Sequence, residues 1–254
     1  MEALDTLLPG VSAAQLLAIW LAILLAALLR AFTGFGFALA AVPVFSLFLT
    51  PAQSVVLSAS LSLSIGLVTV RSYWGQAEPR TLAPLVALAI VGTFAGAALL
   101  VQLSTQNFRL WIGLAVIAAC LVLTFYKPSR ARPRPVLGAI TGALSGLLNG
   151  AFAIPGPPVI IYAMATEREP ARARSLLITF FTISSFVALC SYALAGLVGR
   201  EALWLLLLCF PVMFIGDKLG LALFRRFGTT LYRRVALLTL YVIGIATTAR
   251  ALVA

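Results

Sequence analysis

The sequence contains no histidine, only 7 acidic residues among 254, and charged residues make up just 10% of it. Without histidine, the commonest metal ligand and the side chain best placed for proton transfer near neutral pH are missing. Cysteine is scarce too: Cys120, Cys190 and Cys209 fall singly inside apolar runs. None has metal-binding or redox spacing, so they are expected as packing residues. No stretch resembles a nucleotide-cradling glycine loop with its lysine, so neither ATP nor any other cofactor or metal is expected. A basic leader is lacking as well. Glu2 and Asp5 stand where a signal peptide would carry lysine or arginine, so the first hydrophobic run is expected to stay in the mature protein.

What the sequence has is apolar length. Hydrophobic residues make up 62% of it, and the mean hydropathy is +1.10. Runs such as Leu82 to Leu103 and Leu203 to Phe224 are long enough for a hydrocarbon core, which needs about 20 predominantly apolar residues. The expected fold class is all-α, a polytopic membrane protein embedded in a lipid bilayer.

Two stretches interrupt that pattern at corresponding places in the two halves. The first is Arg30-Ala31-Phe32-Thr33-Gly34-Phe35-Gly36, running on to Pro43-Val44. The second is Ser145-Gly146-Leu147-Leu148-Asn149-Gly150-Ala151, running on to Pro155-Gly156-Pro157-Pro158-Val159. Further matches fall at one constant offset: Gly92, Gly96, Thr105 and Arg109 on Gly216, Gly220, Thr229 and Arg233. Such duplication is common in transporters. The hydrophobic runs predict five segments per half, at about 12–30, 33–49, 54–70, 81–103 and 109–126, then 136–148, 151–166, 175–197, 202–224 and 235–252. Residues 1–127 thus form a first repeat, 128–135 a basic loop and 136–254 a second repeat. The opening pair of each half reads as a broken or re-entrant hairpin, its second-half members too short to span comfortably.

Charge sets the orientation. Thirteen of the eighteen lysines and arginines lie in four loops, around Arg71 and Arg80, Lys127 to Arg134, Arg168 to Arg174, and Arg225 to Arg234. Cytoplasmic loops carry this excess. Placing all four inside requires each half to enter as a hairpin and then cross three times, which puts both termini outside and inverts the halves. The net charge of +11 is then a matter of topology and anionic lipid, and no nucleic-acid partner is expected.

Broken backbone in a bilayer leaves amides unsatisfied unless they line a polar cavity, so paired breaks point to a substrate site. If half-helices begin at Thr33-Gly34-Phe35-Gly36 and Asn149-Gly150-Ala151, their free N–H groups make an anion site. Thr33 and Asn149 suit N-caps by type. The plainer alternative is that these glycines only let helices pack closely. Arg30 closes the first helix beside its break, and Asp217 and Lys218 interrupt a later span as coupling candidates; each should be paired or face a cavity. As neighbours on a helix, Asp217 and Lys218 diverge by about 100° and should not pair with each other. Ser54, Ser58 and Ser62 share one helix face, with Thr179, Thr182, Ser184 and Ser185 in the counterpart segment. These hydroxyls serve as interhelical glue or line an anion path.

The TGFGFALAAVPV and NGAFAIPGPPVIIYA segments, with a length of about 250 residues, resemble the TauE/SafE family of sulfite exporters. The resemblance implies a bacterial inner-membrane carrier of sulfite, sulfonates or related anions, with Gly34, Gly36, Asn149, Gly150, Pro155, Gly156 and Pro158 at the family's motif positions. The leading expectation is a secondary transporter exporting a small sulfur-containing anion, not an enzyme; a homodimer is compatible with it. Import of the same anions is the nearest alternative. A structural membrane subunit or a lipid-modifying enzyme belongs to other classes, and the latter would need clustered carboxylates, histidine or cysteine at an interface.

Overall fold

The computed structural model describes residues 11–33, 35–73, 75, 77–125, 134–167, 169–227, 242, 245 and 247–249. Nine α-helices are delimited within them: α1 Ala13–Thr33, α2 Phe37–Phe45, α3 Pro51–Val68, α4 Pro79–Gln102, α5 Thr105–Phe125, α6 Pro135–Phe152, α7 Gly156–Thr166, α8 Pro170–Leu194 and α9 Glu201–Phe227. Among the described residues there is no strand, and seven of the helices are long and apolar enough to cross a membrane. The protein is a multi-pass, all-helical membrane protein.

Local chemistry places the boundaries. Proline occupies the first position of α3, α4, α6 and α8, where its fixed φ suits a helix start and its missing N–H costs nothing. Thr50 and Gln53 form a reciprocal capping box ahead of α3. Ser12 and Gln15 exchange the same pair of bonds before α1. The expected short second-half pair is corrected in one member. α6 runs 18 residues and reaches spanning length, whereas α7, at 11, does not.

Packing is reciprocal between the halves. α4 lies along α6, and α9 lies along α1, so each half's opening helix is held by the fourth element of the other half. The third elements, α3 and α8, pack on each other. Glycine makes the first crossing. A Cβ on Gly92 or Gly96 would strike the carbonyls of Ala143 or Leu147, and one on Gly142, Gly146 or Gly150 would strike those of Leu85, Ala89 or Thr93. Backbone therefore rests on backbone, the close approach small residues permit in membranes. At the other crossing Gly216 and Gly220 meet Ala27 and Ala31. Away from the interior, Leu17, Leu21 and Leu25 form an exposed apolar stripe on α1, suited to lipid.

The ends of these helices sort onto two sides. A cavity of about 340 Å³ is lined by Thr69 and Tyr73 after α3, Ala171 and Arg174 in the first turns of α8, and Asp217 and Leu221 toward the end of α9. A second, of about 290 Å³, is lined by Thr50 and Gln53 at the start of α3, Gly196 and Gly199 after α8, and Glu201 at the start of α9. Arg71, Arg80 and Arg172 thus belong to the same side as the larger cavity. Of the basic residues that set the orientation, Lys127, Arg130, Arg132, Arg168, Arg233 and Arg234 lie outside the described residues, as does most of 235–252.

Candidate functional site

Both chain breaks end at one small cavity of about 50 Å³, lined by Arg30 and Phe35 to Leu39 from the first and Ile154 to Gly156 from the second. Ser62 of α3 and Phe181 of α8 complete the wall. The tips are neighbours: a Cβ on Gly156 would lie 3.7 Å from Leu39 Cδ1.

The first tip is built to donate. Gly36 precedes α2 with φ 93°, a left-handed conformation that glycine adopts without steric penalty. Ala40 N–H is the first to bond back, to Gly36 O at 3.2 Å. The N–H groups of Phe37, Ala38 and Leu39 therefore have no acceptor within the helix and carry the positive end of its dipole. Gly34 lies outside the described residues, as does the side chain of Thr33, which is the last residue of α1.

The second tip is different. Pro155 is the N-cap of α7, and Pro157 and Pro158 follow Gly156 in its first turn. Proline has no N–H, so of the first three helical residues only Gly156 offers a backbone donor. The expectation that Asn149 and Gly150 start this half-helix is corrected. Both lie in the last turn of α6, and the break comes later, at Ala153 to Pro155. Asn149 is buried, its Nδ2 donating to Ser184 O at 2.9 Å and lying 3.3 Å from Thr93 Oγ1, while its carbonyl accepts from the Tyr192 hydroxyl at 2.8 Å. An amide serves a buried crossing as well as a cap, and burial between α4 and α8 decides its use here. Gly150 is a packing glycine against Thr93. α6 closes on Ala153 in the left-handed region (φ 54°), whose N–H bonds Asn149 O at 2.7 Å.

Arg30 lines the small cavity and the larger one beside it. Its Nη1 donates to Asp217 Oδ1 at 2.7 Å, with the side chains 12% and 13% exposed. This ion pair joins α1 to α9 at the turn where Gly216 and Gly220 bring those helices together. Lys218 faces elsewhere, its Nζ 5.3 Å from the centre of the Phe214 ring. Two residues not singled out in the sequence complete the larger cavity. Arg174, which entered only as a topology-setting charge, donates from Nη2 to Ala31 O at 3.2 Å. Tyr73 donates to Gly66 O at 2.8 Å and accepts from Ser175 Oγ through its own carbonyl at 2.7 Å.

The hydroxyl stripe divides. Thr182 donates to Ile178 O at 2.8 Å and sits 3.0 Å from the Tyr73 hydroxyl, gluing α8 to α3. Ser54 is bonded to Thr50 O at 2.9 Å. Ser62 reaches the small cavity, whereas Ser58 is fully buried with its hydroxyl unpartnered and lines neither cavity.

The family model described as "Sulfite exporter TauE/SafE" matches residues 19–247 of this chain. The chain belongs to the TauE/SafE sulfite exporter family. It is 31% identical over 105 residues to the "Probable sulfite/organosulfonate exporter TauE" of Cupriavidus necator. That alignment covers 41% of this chain and 41% of the relative's length. No solved structure matches. The family is one of transporters, and both tips lie inside the matched TauE/SafE region, as do Arg30 and Asp217.

Proposed function

We propose that this protein is a secondary carrier that exports a small sulfur-containing anion, sulfite or an organosulfonate, across the bacterial inner membrane. The observation that carries the reading is the convergence of a donor-rich helix start, a guanidinium and a second helix start on one cavity. An anion there receives N–H groups from Phe37 to Leu39, charge-assisted bonds from Arg30 and the N–H of Gly156. Ser62 adds a hydroxyl. Proline at 155, 157 and 158 makes the second tip a stiff wall rather than a second cradle.

The positive-inside rule puts the larger cavity on the cytoplasmic side, because the basic ends of α3, α8 and α9 border it. It then serves as the entry through which the anion reaches Arg30. The halves are inverted repeats whose opening hairpins enter from opposite faces, and rocking of one against the other exposes the tips alternately.

The test is flux of sulfite and of methanesulfonate in proteoliposomes containing only this protein, with anion loaded on either side to read direction. Arg30→Ala should weaken anion affinity by about tenfold or more, since a hydrogen bond to a charged group contributes about 1.5–3 kcal/mol. Absence of flux from the wild-type protein for both anions, or unchanged affinity in folded Arg30→Ala protein, overturns the reading.

A further inference from the structure

The ion pair Arg30–Asp217 has a neutral counterpart. Asp217 follows Gly216 as Thr93 follows Gly92, the two glycines that coincide at the repeat's offset. Arg30 stands three residues before the end of α1, and Asn149 three before the end of α6. At one crossing between the halves these positions hold Arg30 and Asp217 at 2.7 Å. At the other they hold Asn149 and Thr93 at 3.3 Å. A carboxamide and a hydroxyl therefore suffice to join the helices at this crossing. The charges do something else.

We infer that Asp217 is a proton-linked competitor of the transported anion for Arg30. This rests on the carrier reading above. Arg30 lines both cavities while Asp217 lines only the larger, so the guanidinium can turn from its carboxylate toward the small cavity. An ionised carboxylate left behind within the membrane is costly. It is neutralised by taking one proton from the water that reaches the larger cavity, where its side chain is 13% exposed. One anion bound is then one proton bound, and release of the anion returns the proton and restores the pair.

The surrounding groups leave this role to Arg30. From α8, Arg174 faces the same cavity but gives Nη2 to the Ala31 carbonyl. Tyr73 and Ser175 are engaged with Gly66 and with Tyr73's own backbone. On α9 itself, Lys218 lies against Phe214.

Methanesulfonate is the probe, because its own charge is constant with pH whereas sulfite titrates. Its binding to purified protein is measured by calorimetry at several pH values, in pairs of buffers with different ionisation heats. The wild-type protein should take up close to one proton per anion at neutral pH, with affinity falling about tenfold per pH unit across the range in which that uptake persists. Asp217→Asn should bind without proton uptake, with affinity flat in pH and no weaker than wild type at its most acidic point. Wild-type binding with no buffer dependence overturns the inference. So does loss of affinity in folded Asp217→Asn protein, which would make the carboxylate a positioning residue. Should that variant fail to fold, the wild-type buffer comparison decides alone. No methanesulfonate or sulfite binding by the wild-type protein at any pH instead removes the carrier reading itself.

Discussion

The two helix breaks meet at one cavity yet are made from opposite materials. The first combines a left-handed glycine, three successive N–H groups without helical acceptors, and an arginine. The second combines three prolines, one such donor, and an asparagine tied sideways into α4, α8 and the Tyr192 hydroxyl. The two breaks fall at corresponding places in the two halves of the sequence, yet their chemistry differs. A tip that must hold and release a charge needs donors and a cation free to turn. A tip that only shapes the wall is better served by residues that cannot move.

The largest effects should separate two glycines that look alike in sequence. Gly150→Val places a branched side chain against the backbone of Thr93, Gly96 and Ala97. Overpacking of that kind should cost about 3 kcal/mol, read as a large fall in thermal stability in detergent. Gly36→Val forces a left-handed conformation at a cost of about 1–2 kcal/mol and crowds the small cavity. That protein should stay folded and lose flux. Equal loss of stability in both variants would erase the distinction between scaffold and site.

Asn149→Ala sharpens the same contrast. Losing its bonds to Ser184 and Thr93 in a buried crossing should lower stability by about 1–3 kcal/mol. Anion affinity of the folded fraction should be unchanged, in contrast to Arg30→Ala. A selective loss of affinity would return Asn149 to the binding site.

The smallest effect concerns Ala153, which holds a left-handed conformation at the second tip. Ala153→Gly should relieve that conformation and raise stability by up to about 1 kcal/mol, with flux unaltered. A drop in stability would mean that the stiffness of this tip matters more than its strain.

Much of this frame is visible in the residues. Gly92 and Gly96 recur as Gly216 and Gly220 because both pairs do the same work at equivalent crossings, and small residues leave a periodic trace. The prolines at 155, 157 and 158 announce a break because they cannot continue α6. Asn149 misleads for a physical reason. Its amide is equally suited to capping a helix and to bridging buried helices, and only the position of the break, three residues later than the glycine suggests, separates the uses. Arg30 and Asp217 were each conspicuous as intramembrane charges. Their pairing was not, since 187 residues lie between them and the closeness of α1 to α9 is a tertiary property. Arg174 and Tyr73 carried no local signal that set them apart from an ordinary loop arginine and a helix-end tyrosine.

That separation along the chain also sets an order of events in synthesis. Arg30 emerges from the ribosome 187 residues before Asp217, an interval of roughly 10–40 seconds at about 5–20 residues per second. Throughout it, α1 holds an arginine whose partner does not yet exist, at a cost of about 2.5–3.5 kcal/mol if it lies at the membrane centre. A helix made well before its partner is thus among the last to be secured. A nascent chain interrupted before α9 carries an unanswered cation in the bilayer, a mark by which an unfinished copy differs from a finished one.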